Sequence, residues 1–384
     1  MKIGTLLIHN GHETDKALGI PTGALGTPVY QTSTFEQSDF FKSGKTQEFD
    51  YARSGNPTRK ALEETIAALE VGSRGYAFSS GIAAVSSALG IFSTGDHIIV
   101  AEDIYGGSYR MLNTFYKRWG LEHTAVDTSN PDNVREALKP NTKALFLETP
   151  SNPLLKITDL RACFDIAHSA GLIILVDNTF MTPYLQRPIT FGADIVIHSA
   201  TKFLGGHSDV ISGLAVTRTE ELGKRLFAVQ NGFGAVSGPW DCWLVQRGIK
   251  TLKVRLDTQQ NTAARLAFWL KEQPNVEAVY YPGLVEHMGR SVHEAQADGT
   301  GAVLSFKTRT TEQALHFLAK TELAAVAVSL GGVETIASYP VRMSHAAIPP
   351  VERARRGITD TLIRISAGLE DCDDLIADFS KALE

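Results

Sequence analysis

Two residues with reactive side chains follow apolar runs that are typical of buried strands. Asp177 ends the run LIILVD, and Lys202 follows the apolar segment 195–197, 25 positions further along the chain. A buried carboxylate needs a partner, because burying it alone is costly; Asp177 could otherwise be a helix cap or a loop residue. A partly desolvated lysine can lose its proton and act as a nucleophile or a base. Ser199 and Thr201 add hydroxyl groups beside it, so these positions predict a reaction site.

Three further positions could complete such a site. The segment 79–82 (SSGI) changes from a strand-like to a helix-like pattern, and the amides of a helix start suit a phosphate, although plain helix capping explains the same residues. Tyr105, in IYGGSY, could stack on a flat ring or serve in packing. Arg364 lies between apolar residues in LIRIS, where its guanidinium could bind a carboxylate or belong to a buried ion pair.

Together these groups match the needs of pyridoxal phosphate (PLP). This cofactor takes a lysine for covalent attachment, a carboxylate that keeps its ring nitrogen protonated, and hydroxyl and helix amide groups for its phosphate. Asp177 and Lys202 are separated by one crossover unit, so both are expected at the same edge of a parallel sheet. With Arg364 available to hold a carboxylate, the set predicts PLP chemistry on an amino-acid substrate.

The pattern of apolar residues indicates which elements position these side chains. Strand and helix patterns alternate from about residue 73 to 220, and runs such as 172–176 are typical of strands buried on both faces. We therefore expect an α/β fold with a large, mostly parallel sheet in a PLP-binding domain at 51–245 and a smaller C-terminal α+β domain at 246–384. Glycine and proline interrupt residues 1–50, which are expected to form an N-terminal arm that contacts a neighbouring subunit.

The composition excludes several classes of protein. The 37 basic and 42 acidic residues of this 384-residue chain give a net charge of −5, which leaves no positive excess for nucleic acid. The three cysteines are far apart in the sequence, so we expect neither a disulfide framework nor a cysteine zinc site, and no bound metal. No apolar stretch is long enough for a signal peptide or a membrane span. A cytoplasmic protein with a small-molecule substrate is expected.

Seven ordered motifs resemble those of the Cys/Met-metabolism family of PLP-dependent enzymes, from about residue 5 to the end of the chain. They are YARSGNPT (51–58), SSG (79–81), YGG (105–107), ETPSNP (148–153), VDNT (176–179), HSATK (198–202) with GHSD (206–209), and SLGG (329–332). Seven motifs in order are far more specific than any one of them. The resemblance implies a fold-type I architecture, similar to that of aspartate aminotransferase, and a homotetramer built from two active dimers.

The resemblance also implies a role for each candidate residue. Lys202 would carry the cofactor, Asp177 would pair with its ring nitrogen and Tyr105 would stack on its ring, with Lys202 and Tyr105 as the catalytic residues. The remaining expected ligands are Gly81, Ile82, Ser199 and Thr201 for the phosphate, Tyr51 and Arg53 for the same phosphate from the neighbouring subunit, and Asn152, Ser329 and Arg364 for the substrate carboxylate.

Two positions bear on which reaction is expected. Gly107 stands where methionine γ-lyases of this family typically carry cysteine, and Val328 stands where γ-synthases and many γ-lyases carry a glutamate suited to the distal ammonium group of a long substrate. The tail at 339–349 is most similar to that of bacterial members that act by β-elimination. The resemblance therefore implies a carbon–sulfur lyase of trans-sulfuration and methionine biosynthesis, which converts cystathionine to homocysteine, pyruvate and ammonia.

Other functions stay open at this point. Cystathionine γ-elimination or γ-synthesis would use the same scaffold and nearly the same residues. A non-catalytic PLP-binding protein would keep the cofactor without turnover, although the presence of Lys202, Tyr105 and Arg364 argues against it. A dinucleotide-binding dehydrogenase would suit the α/β pattern, but no G-x-G-x-x-G motif follows the early strands.

Overall fold

The computed structural model describes residues 1–11, 23–37 and 48–384 of the chain. The parts of the predicted N-terminal arm at 12–22 and 38–47 lie outside the described residues. Among the helices that are described, none combines the length and the hydrophobicity needed to cross a lipid bilayer.

The larger of two β-sheets contains seven strands. They are β1 (Arg74–Phe78), β2 (His97–Ala101), β3 (Glu122–Val126), β4 (Thr142–Glu148), β5 (Ile173–Asp177), β6 (Ile195–Ser199) and β7 (Gly213–Thr217). Their order across the sheet is β1-β7-β6-β5-β4-β2-β3. Only β7 runs antiparallel to its neighbours β1 and β6, and all other neighbouring pairs are parallel. The predicted mostly parallel sheet is therefore confirmed.

Helices cover both faces of this sheet. The α-helices that precede β8 in the described part of the chain are α1 (Ile3–His9), α2 (Pro57–Glu70), α3 (Gly81–Leu89), α4 (Gly106–Met111), α5 (Pro131–Glu136), α6 (Leu160–Ser169), α7 (Thr182–Leu185), α8 (Glu220–Phe233), α9 (Pro239–Ile249) and α10 (Leu252–Lys271). Successive strand residues pack into two different clusters of buried side chains: Ile174 and Val176 of β5 join one, and Leu175 joins the other. This alternation explains why β5 has consecutive apolar residues from Ile173 to Val176.

The smaller sheet follows α10 and has five strands. They are β8 (Val276–Tyr280), β9 (Val303–Thr308), β10 (Ala325–Val326), β11 (Ile336–Ser338) and β12 (Leu362–Ser366), in the order β10-β11-β12-β9-β8. The helices of this part are α11 (Arg290–Gln296), α12 (Thr311–Lys320), α13 (Pro350–Arg355) and α14 (Cys372–Leu383). Three phenylalanines, Phe306, Phe317 and Phe379, pack edge to face in its core. The predicted α+β region near the C-terminus is thus present.

Some strands of the structure were not predicted from the sequence, among them β3, β7 and β11. Strand β7 pairs with β6 residue by residue, so that Ser199 lies opposite Gly213. The antiparallel strand therefore supports the end of β6, directly before the loop that carries Lys202.

Candidate active site

A cavity of about 560 Å³ lies at the carboxyl ends of β4, β5 and β6 and is closed on its other side by residues of the smaller sheet. Ligand sites of open α/β sheets form at this edge. The cavity brings together most of the residues predicted from the sequence, namely Gly81, Ile82, Tyr105, Asn152, Asp177, Ser199, Thr201, Lys202, Ser329 and Arg364.

Asp177 forms part of the cavity floor at the end of β5. Its Oδ1 atom accepts hydrogen bonds from the backbone amide and the hydroxyl of Thr179, at 3.0 and 2.5 Å. The second carboxylate oxygen has no hydrogen-bond partner among the described residues. Burial raises the pKa of Asp177, and the two bonds from Thr179 and the nearby His198 partly oppose that rise. A cationic N–H group in the cavity would therefore be a favourable partner for the second oxygen.

Lys202 lies in the loop after β6, and its Nζ atom donates a hydrogen bond to Oγ of Ser329 at 2.6 Å. Burial, and to a smaller extent the positive charge of Arg364, lowers the pKa of this amine from 10.5 to about 8. A substantial fraction of the amine is therefore neutral at slightly alkaline pH. The neutral form has the lone pair that a nucleophile or a general base needs.

The first turn of α3 lies against the end of β6. The hydroxyl of Ser80 caps this helix by accepting a hydrogen bond from the backbone amide of Ala83 at 3.1 Å. A glycine is required at position 81, because a Cβ atom there would lie only 2.7 Å from Cβ of Ser199. Helix amides and the hydroxyls of Ser199 and Thr201 thus border the same part of the cavity, a donor set that suits a phosphate group.

Tyr105 precedes α4 and presents its side chain to the cavity, with 46% of the residue exposed. Its backbone amide donates a hydrogen bond to Oε2 of Glu148 at 2.8 Å. The ring occupies the space that a side chain at Gly107 would need, since a Cβ atom there would lie 2.4 Å from the ring. An exposed aromatic ring in this position can stack on a planar ligand.

Arg364 lies in the middle of β12 and is buried. Its guanidinium donates hydrogen bonds to Oδ1 of Asn152 at 3.0 Å, to the backbone oxygen of Ser329 at 2.6 Å and to Oγ of Ser338 at 3.0 Å. Burial lowers the pKa of Arg364 to about 10, so the group stays cationic at neutral pH. All three partners are neutral, and within the described part of the chain Arg364 has no carboxylate partner. A buried cation of this kind suits an anionic ligand rather than a structural ion pair.

Tyr51 and Arg53 do not line the cavity of the single chain. The Nη1 atom of Arg53 donates to the backbone oxygen and to Oδ1 of Asn231, at 2.9 and 3.0 Å. The guanidinium of Arg53 lies 5.7 Å from the centre of the Tyr51 ring, and Tyr51 is 46% exposed. These two residues form a surface pair that one chain alone does not bring near Lys202.

The residues of the cavity fit PLP, the cofactor expected from the resemblance. The decisive observation is the second carboxylate oxygen of Asp177, a residue that lines the cavity: this oxygen has no hydrogen-bond partner among the described residues and suits the protonated ring nitrogen of the cofactor. Lys202 supplies an amine for attachment, Tyr105 an exposed ring, and the start of α3 a phosphate site. These three features lie around a single cavity, as one bound molecule requires.

Three residues of the site were not predicted from the sequence. Glu148 ends the run ALFLE in the way that Asp177 ends LIILVD, so the same signal would have found it. Thr179 follows Asp177 by two positions, a spacing typical of a local carboxylate–hydroxyl turn. Ser338 had no sequence signal, because it reaches Arg364 from the neighbouring strand β11.

Comparison with known families gives a match along nearly the whole chain. The model of the family described as Cys/Met metabolism PLP-dependent enzymes matches residues 4–384. This range includes all of the motifs that carried the resemblance and every residue that lines the cavity.

Individual relatives are similar over their full length. The chain is 54% identical to cystathionine beta-lyase MetC of Bacillus subtilis over 380 residues, covering 99% of this chain and 96% of the relative. It is 49% identical to cystathionine gamma-lyase of the same organism over 384 residues, covering 100% of both. The crystal structure of cystathionine gamma-lyase from Lactobacillus plantarum complexed with L-serine superposes with a TM-score of 0.95 at 44% identity, covering 100% of this chain and 98% of that one. These similarities confirm the fold expected from the resemblance.

Proposed function

This chain belongs to the Cys/Met metabolism family of PLP-dependent enzymes, and we propose that it is a carbon–sulfur lyase that cleaves the Cβ–S bond of cystathionine. With one water molecule consumed, the products are homocysteine, pyruvate and ammonia. The observation that carries the proposal is the placement of Lys202, Asp177 and Arg364 around one cavity. The 54% identity to the relative named cystathionine beta-lyase MetC supports the choice of substrate.

Each residue of the large-sheet side has a proposed role in holding the cofactor. When bound, PLP takes up the electron pair left on the substrate Cα after its proton is removed. Lys202 is the attachment point, and Asp177 accepts a hydrogen bond from the ring nitrogen and keeps it cationic. Tyr105 stacks on the ring. The phosphate ligands are the amides of Gly81 and Ile82 together with the hydroxyls of Ser199 and Thr201.

The small-sheet side is proposed to hold the substrate. Arg364 binds the α-carboxylate, with Asn152 and Ser329 fixing the orientation of its guanidinium through the hydrogen bonds described above. This clamp decides which bond of Cα is presented for cleavage.

Lys202 is the proposed general base. Its amine, with a pKa lowered to about 8, would take the Cα proton when it is not itself bonded to the cofactor. The hydrogen bond from Nζ to Ser329 keeps the amine on the substrate side of the cavity. Lys202 or Tyr105 then donates a proton to the departing sulfur.

Cleavage at Cγ is the second candidate reaction. It is favoured by the 49% identity to a relative named cystathionine gamma-lyase, and it needs the same base and the same carboxylate clamp. Val328 argues for β-cleavage, because this exposed apolar side chain at the cavity offers no charge for a distal ammonium group.

Product analysis separates the two reactions. The purified protein is incubated with PLP and cystathionine, and the keto acid and the thiol are identified. Pyruvate with homocysteine supports the proposal, whereas 2-oxobutyrate with cysteine as the main products would establish γ-cleavage. Cofactor binding without any keto acid, from cystathionine or from other sulfur amino acids, would contradict a catalytic function altogether.

We also propose that the protein is a homotetramer of two active dimers. Tyr51 and Arg53 would then reach the phosphate site of the neighbouring subunit, which accounts for an exposed pair outside the cavity of its own chain. In this proposal residues 51–245 bind the cofactor, 246–384 form the C-terminal domain and 1–50 contact the neighbour. A cytoplasmic location is proposed because all three cysteines are buried free thiols.

Mixed oligomers test the sharing of sites. Arg53→Ala should weaken cofactor retention about tenfold, as expected when one charged contact to a phosphate is lost. Lys202→Ala subunits are expected to be nearly inactive alone, and Arg53→Ala subunits weakly active at limiting PLP; when the two are unfolded together and reassembled, activity at limiting PLP should exceed that of either alone. Failure to recover activity, in oligomers shown by native mass spectrometry to be mixed, would contradict the shared site.

A further inference from the structure

Two carboxyl side chains stand next to each other on the cavity floor. Glu148 ends β4 and Asp177 ends β5, and the two residues are direct partners in the register of these parallel strands. Both line the cavity, and Glu148 is only 7% exposed. Two carboxylates on neighbouring strand ends repel each other when both are ionised, and burial adds to that cost, so protonation of one of them is favoured.

The surroundings of Glu148 favour its neutral form. Its Oε2 atom accepts the backbone amide of Tyr105 at 2.8 Å. Within the described part of the chain it forms no ion pair, and the charged groups that face it are Asp177 from β5, Asp103 from the loop after β2 and Arg364 from β12. Two of these three charges are negative.

Asp177 is better stabilised as an anion than Glu148. Thr179 donates two hydrogen bonds to Asp177, and His198 adds a favourable electrostatic contribution. Burial and the negative charge of Asp177 raise the pKa of Glu148 well above its usual range, and the backbone amides of Tyr105 and Asn152 only partly oppose this. These surroundings favour the proton on Glu148 rather than on Asp177.

The charge state of Glu148 matters for Arg364. The hydrogen-bond partners of Arg364 are an amide oxygen, a backbone oxygen and a hydroxyl, all without charge. Its Nε atom is buried without a partner within the part of the chain that the structure describes. An ionised Glu148 would be an internal anion that competes with a bound carboxylate for this cation.

We propose that Glu148 is a positioning residue that stays protonated at neutral pH. As a neutral acid, Glu148 holds the backbone of Tyr105 through its Oε2 atom. It also leaves Asp177 as the anion of this carboxyl pair. The positive charge of Arg364 is then available for the substrate carboxylate. The last part rests on the carboxylate-binding role proposed for Arg364 above. The proton on Glu148 itself does not depend on which thioether is the substrate.

Infrared spectroscopy of the holoenzyme without substrate tests this proton directly. At pH 7.5 the wild-type protein should show the carbonyl band of a protonated carboxyl group, and Glu148→Gln should lose one such band. Glu102→Gln is the matched control. Glu102 is also 7% exposed, but it forms ion pairs with Lys156 and Arg355 at 3.0 Å each and is therefore expected to be ionised. The spectrum of Glu102→Gln should keep every protonated-carboxyl band of the wild type.

Isotope labelling separates glutamate from aspartate carboxyl groups. Wild-type protein grown with carboxyl-labelled glutamate should show a shift of the protonated-carboxyl band, which excludes Asp103 and Asp177. Loss of the labelled band in Glu148→Gln then distinguishes Glu148 from Glu63, whose pKa burial also raises. The absence of any glutamate-sensitive band at pH 7.5 would overturn the proposal.

The affinity for a simple carboxylate gives a second readout. Propionate binding to the holoenzyme is measured at pH 7.5 for the wild type and Glu148→Gln. If Glu148 were ionised, its replacement would remove a negative charge near Arg364 and tighten propionate binding about tenfold, the effect of one partly screened charge. Such tightening would overturn the proposal. Neither propionate binding nor the infrared band depends on cystathionine being the substrate. The proposal for Glu148 and the proposed lyase function can therefore be contradicted independently.

Discussion

The two walls of the cavity are built from different sheets and carry different kinds of charge. On the side of the larger sheet lie the carboxyl groups of Asp177 and Glu148, at the ends of β5 and β4, and the amine of Lys202, shortly after β6. On the side of the smaller sheet lies the buried cation Arg364, whose hydrogen-bond partners among the described residues are all neutral. One wall thus has groups that can exchange protons, and the other has a cation that can attract an anion.

This difference suggests a division of work between the two parts of the chain. In the proposed function, groups at the ends of β5 and β6 act on the bonds of the substrate Cα, so changes there should chiefly reduce turnover. Groups on the side of the smaller sheet hold the substrate, so changes there should alter affinity and, at Val328, the product ratio. Substitutions on each wall test this contrast.

The largest effect is expected at Lys202. Lys202→Ala removes the proposed base and attachment point, so kcat for keto-acid formation should fall by roughly a thousandfold or more. Borohydride should no longer fix the cofactor covalently to the protein. Lys224→Ala, an exposed lysine of α8, serves as the control. Covalent fixation at full yield in Lys202→Ala would show that another lysine carries the cofactor.

The buried positive charge of Lys202 should lower the free energy of unfolding of the cofactor-free protein. Because its pKa is lowered from 10.5 to about 8, the unfolded chain binds more protons than the folded one between these pH values, and stability rises with pH across that window. Below pH 8 the buried charge costs about 3 kcal/mol. Lys202→Met should therefore raise the free energy of unfolding by up to this amount at pH 7, and the gain should vanish near pH 10.5.

Urea unfolding of the cofactor-free proteins at pH 7, 9 and 10.5 checks this expectation. An equal difference between wild type and Lys202→Met at all three values would mean that the effect comes from packing and not from the charge.

On the opposite wall, Arg364→Ala should act mainly on binding. Loss of a charge-assisted clamp should raise KM about tenfold to a hundredfold, with a smaller change in kcat. Arg364→Lys keeps the charge without the planar fork and should recover part of the affinity. A KM that stays at the wild-type value in Arg364→Ala would remove the clamp role and, with it, the contrast between the walls.

The smallest effect is expected at the rim of the cavity. Val328→Glu places a carboxylate where a distal ammonium group of cystathionine could reach it, so the ratio of 2-oxobutyrate to pyruvate should rise a few-fold. Val326→Glu, an exposed position of β10 that does not line the cavity, is the matched control. An equal change of the ratio in both variants would point to an indirect effect of added charge.

Much of the architecture followed from local patterns. The apolar runs that became β4, β5 and β6 were predicted because a strand buried on both faces must be apolar throughout. The capped start of α3 was also expected, since Ser80 and Gly81 have the residue types that such a turn needs. Strand β7 was missed, because an antiparallel strand inserted between β1 and β6 leaves no signal in the spacing of elements.

Some residues of the candidate site were also predicted from the sequence, whereas others were found only in the structure. The positions of Asp177 and Lys202 followed from the rule that ligands collect at the carboxyl ends of parallel strands. Glu148 escaped attention although it ends an equally apolar run, because nothing in the sequence says that β4 and β5 are neighbours. The hydrogen bonds of Arg364 to Asn152 and Ser338 join residues 212 and 26 positions apart and had no local signal.

The class of fold, the family and the types of reactive side chain could be predicted without coordinates, because motif order and hydrophobic period are properties of the linear chain. The electrostatics could not be predicted in this way. Packing placed Glu148 beside Asp177, gave Arg364 neutral hydrogen-bond partners among the described residues, and left Tyr51 and Arg53 outside the cavity of their own chain. Protonation depends on burial and on distances between charges, and these quantities exist only once distant strands have been brought together.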